Sequence, residues 1–141
     1  MIGAPAYLAP LFVEVGLTFA LLFWMGVRRV DAVTTGVVHP RDVALRQPNW
    51  PTGITQIANA YHSQLELPVL FYLVVVLSLF TAQSTTTLLV LAWAFVATRA
   101  FHALIHVTTN HMRRRFFAFL AGSLIAMTMW ILFGLDLFLA P

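Results

Sequence analysis

The chain has 141 residues, 60% of them hydrophobic and 9% charged, with a mean hydropathy of +0.86, proportions that exclude an ordinary soluble domain. Its formal charge of +3 comes from eight arginines against five carboxylates, without lysine, which supplies no basic surface of the kind nucleic acid needs. Cysteine is absent, so disulfides, thiolate nucleophiles of the protein's own and Cys-ligated metals are excluded.

A helix rises about 1.5 Å per residue and the hydrocarbon core is roughly 30 Å thick, so each crossing takes about 20 apolar residues and the length allows four. The expected fold is therefore an all-α integral membrane protein, a single domain over residues 1–141 built as a four-transmembrane-helix bundle. Chemistry in such a chain has to come from helix faces and short loops.

The first apolar run, Pro5 to Val27, has no positive stretch before it and Arg28-Arg29 after it, the order of a retained anchor rather than a cleaved signal peptide. Residues 28–51 carry Gly36, Pro40, Pro48, Pro51 and four arginines, and read as a loop with one short helical turn after Pro40. From Gly53 the pattern turns helical, with Gln56, Asn59, His62, Ser63 and Glu66 recurring at three- and four-residue spacing on one side. Beyond this stripe Val69 to Phe80 is almost wholly apolar, and Pro68 removes a backbone donor, so a kink is expected between the polar and apolar halves of the second span.

The third span is expected from Thr85 to Asn110 and the fourth from Arg114 to Phe138. Counting crossings puts the loops after spans one and three on one side, together with seven of the eight arginines. The positive-inside rule makes that side cytoplasmic and places both termini opposite. In the fourth span Ala118, Gly122 and Ala126 form a small-xxx-small face suited to close helix packing.

Ionisable groups within the spans need a reason, because an unpaired charge at mid-membrane costs at least roughly 2.5–3.5 kcal/mol. Glu66 lies about 13 residues, roughly 20 Å, into the second span, and Arg99 about 11 residues, roughly 16 Å, from the same end of the third. Their similar depth predicts a Glu66–Arg99 ion pair, whose plain reading is a structural clamp. Arg99, His102, His106, Asn110 and Arg113 advance in steps of three or four as one stripe. Two polar stripes on neighbouring spans predict a shared cleft opening towards the arginine-rich side, and clustered titratable groups point to a site. Glu14 and Asp136 are expected nearer the outer ends, solvating the interface. His102 and His106 also stand one helical turn apart, and His62 with Glu66 could complete a four-ligand metal site, although Arg99 one turn away would repel a divalent cation.

At these residues the chain resembles the MAPEG superfamily, the membrane-associated proteins in eicosanoid and glutathione metabolism, and in particular its small bacterial members. The resemblance covers nearly the whole chain. Its sharpest piece is Arg99-xx-His102-xxx-His106-xxxxxxxx-Arg115, matching a family pattern of Arg, His, Tyr and Arg at the same intervals. A second piece is Asn59-xx-His62-Ser63-xx-Glu66-Leu67-Pro68-Val69-Leu70-Phe71, and a weaker one runs from Asp42 to Arg46 in the first loop.

The resemblance implies a homotrimer in the bacterial inner membrane, with glutathione bound in a cytoplasm-facing cleft between subunits. It implies that Arg28 or Arg29, Asn59, His62, Ser63 and Glu66 hold the charged ends of the tripeptide. His102 and His106 line the pocket beside Arg99 and Arg113, and Arg115 stabilises the thiolate as the catalytic residue. Lipophilic electrophiles or hydroperoxides would arrive laterally from the bilayer. The sequence departs from the family pattern at His106, where Tyr is common, at His62, where Arg is frequent, at Ser63 in place of Asn, and at Phe116, where some members carry a hydroxyl. A lost charge-assisted hydrogen bond is worth roughly 1.5–3 kcal/mol, so the departures weaken the expected hold on glutathione unless His62 is protonated or Arg113 and Arg114 compensate. Three functions follow: a glutathione-dependent transferase or peroxidase, a non-catalytic binder of lipids or amphiphiles on the same fold, and a histidine–carboxylate metal site.

Overall fold

The computed structural model describes residues 2–45 and 47–139; Arg46, the last residue of the loop motif, lies outside them. Five α-helices and one 3-10 turn make up the described chain: α1 (Ala4–Thr34), the turn Pro40–Asp42, α2 (Thr52–Ser63), α3 (Leu67–Phe80), α4 (Thr86–Val107) and α5 (Met112–Leu139). Four segments are long and apolar enough to cross a membrane, with α2 and α3 together forming the second. The chain is a multi-pass integral membrane protein of all-α architecture.

α1 runs past the expected boundary at Val27 to Thr34 and carries Arg28, Arg29 and Asp31 on helix. Beyond Val27 no Gly or Pro occurs until Gly36, whose φ of +75° turns the chain. There Thr35 N–H bonds to Asp31 O at 2.9 Å and Val38 N–H to Ala32 O at 3.0 Å, satisfying carbonyls that the helix end frees. The single turn after Pro40 is as expected.

The second span is interrupted more deeply than a kink. α2 stops at Ser63, Glu66 adopts φ −99° and ψ −99°, and Pro68 lies in the first turn of α3, where its missing N–H is no loss. Thr85 caps α4 by accepting from Leu88 N–H at 3.2 Å. α4 ends three residues before the expected Asn110, which takes a left-handed φ of 48° and donates its N–H to Ile105 O at 2.7 Å.

α5 lies along α4 through its small residues. Ala118, Gly122 and Ala126 are all buried, and a Cβ at Gly122 would stand 3.0 Å from Thr98 Oγ1. At the end remote from the arginine-rich loops the interior is dry: Phe71 stacks on Phe95 at 4.5 Å between ring centroids, packed with Val74, Leu88, Met129 and Phe133. Tyr7 and Ser78 hydrogen-bond across this end at 2.7 Å, and Trp130 Nε1 donates to Leu70 O at 3.1 Å. Phe12, Phe23 and Phe80 point outward as a lipid-facing surface would require.

Candidate functional site

The break between α2 and α3 creates the site. A helix terminus leaves its last carbonyls without intrahelical partners, and one of these is taken by a cation from a neighbouring helix. Arg99 of α4 is wholly buried, and its Nη2 donates both to Ser63 O at 2.9 Å and to Ser63 Oγ at 2.8 Å. The expected Glu66–Arg99 ion pair is not formed: among the described residues no ion pair within 4.0 Å involves either, and the contact that is present joins Arg41 to Asp42 on the surface. Equal depth does not fix direction around the axis. Glu66 sits on the broken turn and is exposed, so its carboxylate turns to the cleft while Arg99 points behind it.

In front of Arg99 an open cleft of about 570 Å³ brings the two polar stripes together. Asn59, His62, Ser63 and Glu66 line it from the second span, and His102 and His106 from α4. Arg115, in the first turn of α5, closes it with the apolar side chains of Met112, Phe116 and Phe119. The imidazoles of His102 and His106 meet edge-on at 4.8 Å, and His102 lies 6.0 Å from the Phe119 ring. Both Nδ1 atoms are buried without a hydrogen-bond partner.

Arg115 is held by the turn that precedes it. Its Nη1 donates to Asn110 Oδ1 at 2.7 Å, and the left-handed backbone of Asn110 places that oxygen there. Asparagine accepts this conformation more readily than most residues. The guanidinium is thus steered into the cleft with its remaining donors free to meet an anion.

Three of the sequence-derived candidates lie elsewhere in the chain. Arg99 is behind the cleft floor, Arg28 borders a separate hollow with Asp31, Pro51 and Ile54, and Arg113 borders a shallow apolar hollow with Phe116 and Phe117. Arg29, the alternative to Arg28, lies 4.9 Å from the centre of the Trp50 ring. It edges a second polar hollow of about 430 Å³ that shares Asn59 and His62 with the main cleft. Among the described residues no group of three or more His, Asp or Glu side chains is placed to hold a metal ion, and the four-ligand arrangement of His62, Glu66, His102 and His106 is not assembled.

Sequence reading missed two residues here. Glu14 is not an interfacial group: it is 0% exposed. Ten residues from the start of α1 at Ala4, about 15 Å along the axis, it lies half-way across the membrane, a depth that could have flagged it. Gln64, at 1% exposure, is buried by the same break that exposes Glu66, and no periodicity foretells that.

A family model described as the MAPEG family matches residues 7–135. No curated protein and no solved structure matches the chain.

Proposed function

The chain belongs to the MAPEG family, and on that footing we propose that it is a membrane glutathione-dependent transferase or peroxidase, acting on lipophilic electrophiles in the cleft between α2, α4 and α5. One observation carries this reading: a carboxylate, an amide, a hydroxyl and a single anchored guanidinium converge on one cleft that also has an apolar wall. A tripeptide with one ammonium, two carboxylates and a thiol suits that set. The cleft volume falls within the roughly 300–1,000 Å³ of small-ligand sites.

The carboxylate of Glu66 binds the ammonium end, Asn59 and Ser63 offer hydrogen bonds, and His62, His102 and His106 line the remainder. Arg115 faces the sulfur and favours its thiolate form, an electrostatic contribution from a fixed cation in a site partly shielded from water. The nucleophile has to come from the bound tripeptide, since the chain has no cysteine. Met112, Phe116 and Phe119 receive the apolar electrophile from the bilayer side. Among the described residues Arg115 is the one arginine lining the cleft, against two carboxylates of the ligand, so a second cation is needed. A homotrimer would bring Arg28 or Arg113 of an adjacent subunit to the open side. In this reading the arginine-rich end faces the cytoplasm of a bacterial inner membrane, where glutathione is available.

The test is titration of the purified protein in nanodiscs with glutathione, followed by thiolate absorbance near ~240 nm. Saturable binding with a thiolate band is expected. Arg115→Ala should lower turnover about 10²–10³-fold, the range for removing one transition-state donor, while the helical content stays as it was. Absence of both binding and thiolate band, with an inert Arg115→Ala, ends this reading.

A second reading keeps the fold and assigns the cleft to a lipid or other amphiphile without catalysis. The apolar wall favours it, as do the histidines at 62 and 106 where the family pattern has Arg and Tyr. Native mass spectrometry showing a retained lipid, with no affinity for glutathione, would select it.

A further inference from the structure

Away from the cleft, the bundle holds buried polar atoms that the proposed chemistry does not use. Glu14 on α1 has both carboxylate oxygens buried without partners; Gln64 at the helix break has both amide atoms in the same state; Arg99 on α4 has Nε and Nη1. All three side chains are buried, at 0%, 1% and 0% exposure. Buried polar atoms of native proteins nearly always have partners, and the middle of a bilayer offers no bulk water to supply them. The set is chemically complementary: Glu14 only accepts, Arg99 only donates, and Gln64 does both. Glu14 and Arg99 are close enough to act on each other electrostatically, yet no ion pair within 4.0 Å joins them among the described residues. Donors and acceptors separated in this way are what small numbers of internal waters bridge.

We propose that Glu14 is the counter-ion of Arg99 and, through it, a positioning residue for the cleft, with buried water joining the two. The one guanidinium nitrogen that is satisfied, Nη2, grips the carbonyl and hydroxyl of Ser63 at the end of α2. Nε and Nη1 have no partner among the described residues and remain for a carboxylate or for water. A carboxylate on α1 therefore sets the angle at which Arg99 grips α2, and with it the placement of Ser63 and the neighbouring Glu66 in the cleft. Glu66 cannot take this role, because it is exposed on the cleft side. Tyr72 also faces Arg99, but its hydroxyl lies against Thr18 on α1 and brings no compensating charge at neutral pH.

The inference rests on the glutathione reading only for its binding readout, so the experiment carries a second arm. Full-length protein in nanodiscs is compared with Glu14→Gln and Glu14→Asp. Glu14→Gln is expected to raise the Kd for glutathione on the order of 10- to 100-fold, the range in which outer-shell partners of a site act. Glu14→Asp keeps the charge, and a water spans the missing methylene, so it should recover most of the affinity. Equal Kd values for wild type and Glu14→Gln overturn the proposal. If wild type itself does not bind glutathione, the functional reading falls and hydrogen–deuterium exchange decides. Faster exchange in Glu14→Gln at residues 61–67, with residues 125–135 unaffected, upholds the positioning role, whereas unchanged exchange at 61–67 sinks it. Should Glu14→Gln fail to fold, Glu14→Gln/Arg99→Gln removes both charges and is expected to fold; a double variant no better than the single one shows that the two residues are not partners.

Discussion

The two ends of this bundle are built on opposite rules. Towards the termini the interior is aromatic and aliphatic, and polar groups there pair within the protein, Tyr7 with Ser78 and Trp130 Nε1 with the Leu70 carbonyl. Towards the arginine-rich loops the interior holds Glu14, Gln64, Arg99, His102 and His106, all buried and each with side-chain atoms left unpartnered. The dry end has close packing and, among the described residues, a lone unpartnered buried side-chain atom, Gln83 Oε1. The polar end departs from this in one contiguous region around an open cleft, and natural proteins depart from local consistency chiefly where they function. The broken second span is the boundary, since α3 belongs to the dry core and α2 to the cleft.

That contrast breaks most readily at Arg99. With Glu14 as the proposed counter-ion, Arg99→Gln leaves a buried carboxylate uncompensated and is expected to lower stability by about 3–5 kcal/mol. Reversible unfolding in bicelles measures it. A loss as small as that of a single surface substitution would mean that the polar interior is not held by its charges. Gly122→Ala probes the seam between the two ends and comes next in size. The added methyl would meet Thr98 Oγ1 at 3.0 Å and lie 3.8 Å from Arg99 Cδ, and overpacking of this kind costs about 1–3 kcal/mol. If α5 can shift to accommodate it, the unfolding midpoint will not move and the seam is looser than its geometry shows.

The dry end was largely legible from the sequence, because hydrophobic length and period determine a span and the small residues of α5 mark its packed face. The polar stripes were legible for a related reason: three- and four-residue spacing gathers Asn59, His62, Ser63, Glu66, His102 and His106 on facing sides, and the cleft contains them all. What escaped depends on direction and on local breaks. A period gives the face of a straight helix, but α2 ends at Ser63, and the turn that follows sends Glu66 outward and Gln64 inward. Glu14 escaped because α1 offers no second charged residue within the apolar run to form a stripe, so its burial is visible only in three dimensions. The anchoring of Arg115 by Asn110 depends on a left-handed residue between helices, which spacing alone does not reveal.

The smallest expected effect sharpens the comparison from the dry side. Ser78 Oγ donates to Val75 O at 3.0 Å, which uses its only proton, so in the 2.7 Å contact with Tyr7 the phenol must be the donor. Tyr7→Phe therefore removes a donor without orphaning one: Ser78 keeps its bond to Val75, and the phenylalanine ring fills the same space. Side-chain hydrogen bonds between membrane helices average about 0.6 kcal/mol, partly because the unfolded state in lipid also finds partners. Tyr7→Phe should cost about that much in the same unfolding assay, several-fold less than Arg99→Gln. A loss above about 2 kcal/mol would exceed the largest value expected of such a bond and would show that the dry end, too, depends on a polar contact.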